Sequence, residues 1–64
     1  MTNLKRIRIE SGITQAALAE SAGVSLRTLQ DYEQGRKNIN SAAAITAYRI
    51  AQALGVNIED LIDK

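Results

Sequence analysis

Glycine is the one strong helix breaker in this chain, falling at positions 12, 23, 35 and 55 with no proline anywhere. Each glycine follows a stretch whose apolar residues recur at helical spacing, where a left-handed residue closes a helix cheaply. Residues able to accept orphan backbone N–H groups open the same stretches: Thr2, Thr14, Ser25, Ser41 and Asn57. The two sets of signals predict five helices, near residues 2–11, 14–22, 25–34, 41–54 and 57–63. The expected fold is all-α, a compact five-helix bundle.

With 64 residues the chain reads as one domain at most, spanning 1–64. A domain this small buries only about 60% of its unfolded surface, so its apolar residues must be used efficiently. Tyr32 and Tyr48 are the only aromatics, so Ala, Ile and Leu supply the core. The periodic positions are Leu4 and Ile7, then Leu18, Ala19 and Ala22, then Leu29 and Tyr32. Ala47, Ile50, Ala51 and Leu54 follow, with Ile58, Leu61 and Ile62 in the last segment. Each helix is too short to stand alone, so all must share one core. The opening of the fourth, "SAAAITA", reads either as alanines that let backbones approach closely or as helix filler.

The chain has neither cysteine nor histidine, which removes disulfides, Cys/His zinc sites, thiol nucleophiles and imidazole bases. The reading is of a protein without cofactor or metal and not an enzyme: no paired carboxylates, glycine-rich phosphate loop or nucleophile–base arrangement is seen. No apolar run approaches the roughly 18 residues that span a bilayer, and the N-terminus lacks a signal-peptide core. A cytoplasmic home is expected, in prokaryotic cytosol or nucleoid or from a phage, with no membrane partner. The net charge is only +1, but Lys5, Arg6, Arg8, Arg27, Arg36 and Lys37 precede residue 40, while the tail carries Glu59, Asp60 and Asp63. A basic N-terminal part fits a polyanion; ordinary solvated charge fits it equally.

The stretch "TQAALAESAGVSLRTLQDY" narrows the choice. A turn of about three residues centred on Gly23 forces its flanking helices to cross steeply, as in a helix-turn-helix. The small Ala19 suits the crossing point, and Leu18, Ala22, Val24, Leu29 and Tyr32 stitch the pair to the core. On a helical wheel of 25–34, Leu29 and Tyr32 centre the buried side. Arg27 and Asp31 point away, Gln30 lies close to them, and Leu26 and Thr28 sit on the borders. Such an outward face enters a DNA major groove. Arg27 then suits guanine, Gln30 adenine, Leu26 a thymine methyl, and Asp31 cytosine N4. Arg27 and Asp31 read alternatively as a helical i,i+4 ion pair.

Residues 4–62 resemble the lambda-repressor-like, XRE-type (Cro/repressor) helix-turn-helix family through "LKRIRIESGITQAALAESAGVS", "YEQGRKNI" and "IAQALGVNIEDLI". The resemblance implies that Gln15, opening the second helix, bonds a DNA phosphate and braces the third. It implies a partly buried salt bridge between Arg8 and Glu33. It makes "EQGRKN" a phosphate-binding loop, in which backbone N–H groups near Gly35 act with Arg36 and Lys37. Ser25 and Thr28 join the phosphate contacts, with Ser25 alternatively a helix cap alone; Lys5 and Arg6 are weaker candidates. Two departures stand out: "NINSAA" where many members carry a proline, and Asn38 and Asn40 where some carry a minor-groove arginine.

The implied function is a sequence-specific transcriptional regulator of double-stranded DNA, a repressor, working as a homodimer on a palindromic operator. Self-association would rest on the helix 5 region, at Ile58, Leu61 or Ile62. A protein-interaction module, such as an antitoxin or antirepressor partner, is the alternative, favoured by the modest charge and by Asp31.

Overall fold

The computed structural model describes residues 1–39 and 44–62. Four α-helices run in order: α1 (Asn3–Ser11), α2 (Gln15–Ala22), α3 (Leu26–Glu33) and α4 (Ala44–Leu54). No strand occurs among the described residues. The first three helices open as the cap residues dictate. The side chains of Thr2, Thr14 and Ser25 accept the N–H groups of Lys5, Ala17 and Thr28. Each removes one orphan donor, worth about 1 kcal/mol. The expected Ser41 cap lies outside the described residues, as do Ala42 and Ala43 of the alanine run.

The expected fifth helix is instead a single 3₁₀ turn, Ile58–Leu61. Its local bonds span three residues: Asp60 N–H donates to Asn57 O at 3.0 Å and Ile62 N–H to Glu59 O at 3.3 Å. Asp60 Oδ2 accepts the Asn57 N–H at 3.1 Å, which pins the entry. The apolar spacing is compatible with the tighter winding. Ile58 and Leu61 are three apart, and residues at i and i+3 eclipse in a 3₁₀ helix, so both turn onto the core.

The core draws one fully buried aliphatic side chain from every element: Leu4, Leu18, Leu29, Ile50 and Leu61. Burying each contributes about 1.5–3 kcal/mol. Leu61 therefore has no surface for a second copy, which corrects its place among the dimer candidates; Ile58 and Ile62 are partly buried. α2 packs chiefly against α4 and α3. Ala19 and Ala22 on α2, with Ala47 and Ala51 on α4, are all buried, and these small side chains allow the two helices to approach closely.

Between α2 and α3, Gly23 adopts φ +69°. Its N–H donates to Glu20 O at 3.2 Å, and the Val24 N–H to Ala19 O at 3.0 Å. A left-handed residue here ends α2 and starts α3 within three positions. That turn fixes the crossing of the two helices and so decides which side of α3 faces outward.

Candidate nucleic-acid interface

α3 begins at its Ser25 cap and buries Leu29 completely. Tyr32 packs partly against the core from the same side. The opposite side carries Arg27, whose side chain is 80% exposed, and Leu26, 43% exposed. Thr28 and Gln30 are half-buried at the borders. Both Leu26 and Arg27 stand in the first turn of the helix, at the end nearest the Gly23 joint.

A chain of polar contacts holds α3 in place from behind. Arg8 Nε donates to Glu33 Oε2 at 2.6 Å, the Glu33 side chain being wholly buried. Arg8 Nη1 also donates to the Ile13 carbonyl at 2.8 Å. Gln15 Nε2 donates to the other Glu33 oxygen at 3.1 Å, and Gln30 Nε2 reaches Gln15 Oε1 at a long 3.4 Å. The Thr2 hydroxyl donates to the Glu33 main-chain carbonyl at 2.9 Å. Arg8, Gln15 and Thr2 thus converge on one residue at the C-terminal end of α3. A buried carboxylate needs all such partners, since each one lost leaves a desolvated charge. No buried side-chain nitrogen or oxygen lacks a partner among the described residues.

The exposure of Asp31, though not its outward position, needs correction. Its side chain is only 13% exposed, covered by arginine rather than by the core. Arg36 Nε donates to Asp31 Oδ1 at 2.9 Å, and Arg27 Nε lies 3.5 Å from the same oxygen. The Arg36 hydrogen bond holds the Asp31 carboxyl below the usual carboxylate range, against an opposing effect of partial burial; the charges of Arg36 and Arg27 add to the lowering.

The expected grip by backbone N–H groups near Gly35 is also corrected. Gly35 N–H donates to Tyr32 O at 3.3 Å, and Arg36 and Lys37 N–H both donate to Asp31 O, at 2.9 and 3.1 Å. These donors satisfy the carbonyls that end α3, which leaves the Arg36 and Lys37 side chains as the loop's exposed cations. At the other end of α3, Ser25 Oγ donates to Thr28 Oγ1 at 2.9 Å while accepting the Thr28 N–H at 3.1 Å. Arg6 pairs with Glu10 at 3.3 Å on the solvent side of α1.

Two structural residues escaped the sequence reading. Thr2 appeared only as a cap, although its hydroxyl also reaches across to Glu33. Ile39 is buried and anchors the loop after α3 from below. It is the lone apolar residue between Tyr32 and Ala42, and an isolated isoleucine in so polar a run was the available signal.

Among the described residues, no helix is long and apolar enough to cross a membrane. Nor do three or more metal-ligating side chains gather there. A helix-turn-helix family profile matches residues 4–61. An HTH-type transcriptional regulator of Sinorhizobium fredii is 39% identical over 61 residues, which are 95% of this chain and 75% of that protein. Another, from Methanothermobacter thermautotrophicus, is 44% identical over 61 residues, covering 94% of this chain and 84% of its own.

Proposed function

The chain belongs to the XRE-type helix-turn-helix family, and from that premise we propose that it is a DNA-binding transcriptional regulator acting in the cytoplasm. In this reading it is a repressor whose α3 enters the major groove. The observation that carries the reading is the two-sidedness of α3: Leu29 is fully buried while Arg27 stands 80% exposed two positions away. Among the described residues, Arg27 is held only by a 3.5 Å contact to Asp31, which leaves its guanidinium accessible to a base edge.

Phosphate contacts from Gln15, Ser25, Thr28 and the Lys37 side chain supply affinity and register, without information about sequence, and Arg36 adds to them only where it leaves Asp31. Leu26, Arg27 and Gln30 read base edges, Arg27 as a bidentate donor to guanine and Gln30 to adenine. Asp31 accepts from cytosine N4 where a cytosine is present. One short helix reads too few base pairs for selectivity, so two copies act on a two-fold operator. With Leu61 committed to the core, self-association through residues 58–62 falls to Ile58 and Ile62.

The test is the salt dependence of binding to duplex DNA. Each lysine or arginine that neutralises a phosphate steepens the log–log slope by about 0.9, so a clearly negative slope is expected. A flat response would overturn the reading in favour of a protein-interaction module.

A further inference from the structure

Asp31 stands where the outward face of α3 meets the loop that follows. Its main-chain carbonyl, by accepting from the Arg36 and Lys37 N–H groups, turns that loop back over the helix. The fold-back delivers Arg36 Nε to Asp31 Oδ1 at 2.9 Å, and Arg27 Nε lies 3.5 Å from the same oxygen. Gln34 Oε1 accepts from Arg36 Nη1 and steadies the guanidinium further. One carboxylate oxygen therefore engages two of the cations that face a duplex in the reading above.

We propose that Asp31 is a positioning residue that withholds Arg36, and to a lesser degree Arg27, from phosphates, lowering affinity for duplex of any sequence and so sharpening selectivity. The inference rests on the DNA-binding reading. A phosphate approaching Arg36 must displace a carboxylate already hydrogen-bonded to it. The charge of Asp31 itself also repels phosphates, and at 0.1 M salt most of that repulsion is screened out only beyond about 10 Å. Both penalties fall on every sequence alike. A site that offers Asp31 a base donor, such as cytosine N4, recovers part of them. Discrimination by penalising the wrong partner needs no additional attractive contact.

The experiment compares the unaltered domain, Asp31→Asn, Arg36→Gln and the double variant. Each is titrated against a random-sequence duplex and a duplex selected from a random pool, with circular dichroism as the check on folding. With Arg36 released, Asp31→Asn binds random duplex about tenfold more tightly at about 50 mM salt, and its log–log slope steepens by about one. The selected duplex gains less, so the ratio between the two falls. In the double variant the tightening shrinks. Arg36→Gln alone leaves the slope nearly unchanged, because Arg36 is already withheld, and this arm stands even if Asp31→Asn folds poorly.

The proposal is overturned if Asp31→Asn leaves random-duplex affinity and slope unchanged or weakens them. It is overturned equally if the tightening persists in full without Arg36, or if Arg36→Gln alone lowers the slope by about one. An unaltered domain that binds no duplex at low salt sinks the DNA-binding reading itself, and the proposal with it. That outcome is read before any variant is compared.

Discussion

Arg8 and Glu33, 25 residues apart in sequence, meet at 2.6 Å with the Glu33 carboxylate shut off from solvent. The pair joins the first helix to the end of the third, and Glu33 retains only the Gln15 amide as a side-chain donor if Arg8 is lost. Arg8→Ala should therefore destabilise the fold by about 3 kcal/mol or more, as truncating one partner of a buried ion pair does. Replacing both residues by methionine should restore most of that loss. Urea denaturation of the three chains measures both steps, and an Arg8→Ala loss below about 1 kcal/mol would refute the account.

Arg27→Ala should behave in the opposite way. The side chain is largely exposed, so stability should move by less than about 0.5 kcal/mol. Binding to the preferred duplex should weaken by about 1–3 kcal/mol, with relaxed preference at one base position. A parallel selection from random DNA with both chains checks this; unfolding of the variant would show that the outward face has been misassigned.

Gln15→Ala should weaken binding to every duplex, because its proposed contact is with a phosphate, and sites read by Gln30 should lose more, because Gln30 loses the Gln15 carbonyl that holds it. The substitution should also lower stability by about 1–3 kcal/mol, since Glu33 Oε1 loses its donor. Affinities for several unrelated duplexes, measured beside a denaturation curve, separate the effects. A loss confined to particular sequences, with the other duplexes bound as before, would contradict the phosphate assignment.

Gly23→Ala tests the turn. The added methyl would meet only Arg49 Nη1, at 4.0 Å, so space is available and the penalty is one of backbone conformation. An alanine held at φ +69° should cost about 1–2 kcal/mol. In a domain this small the melting midpoint should fall by about 4–8 °C per kcal/mol. An unchanged midpoint would mean that the turn has relaxed into another form.

Stability should also carry an acid-side signature from Asp31. Its carboxyl is held low in the folded chain, chiefly by the Arg36 hydrogen bond, so folding favours the ionised form. That contribution is present in full above the ordinary carboxylate range and is lost as pH falls through the lowered folded value. The difference in stability between the unaltered chain and Asp31→Asn should therefore shrink below about pH 4. A difference that does not depend on pH would argue against the Arg36 contact in solution.

Much of this architecture was legible because its signals are local. A cap residue and a closing glycine act within a few positions, so Thr14 with Gly23 bounds α2 to within a residue or so. The two sides of α3 were legible for the same reason: Leu29 and Arg27 differ by two steps on one wheel. The last segment failed because Ile58, Leu61 and Ile62 fit an α-helical stripe as well as a 3₁₀ face, and four residues are too few to decide. The cover over Asp31 failed for a different reason. Arg36 lies five positions on, past the helix end, and only the path of the loop brings it back. Ile39 likewise belongs to no periodic run, so its burial follows from that path alone.

The convergence of Thr2, Arg8 and Gln15 on Glu33 separates the frame from the reading head. Leu26 lies apart from that web, and Arg27 pairs with Asp31 rather than with Glu33. Gln30 is moored to the web through Gln15. If α3 reads bases as proposed, positions 26 and 27 can change without unsettling the scaffold, while position 30 is under a mechanical constraint. A designer seeking a new operator would begin with the first turn of α3 and leave its far end alone.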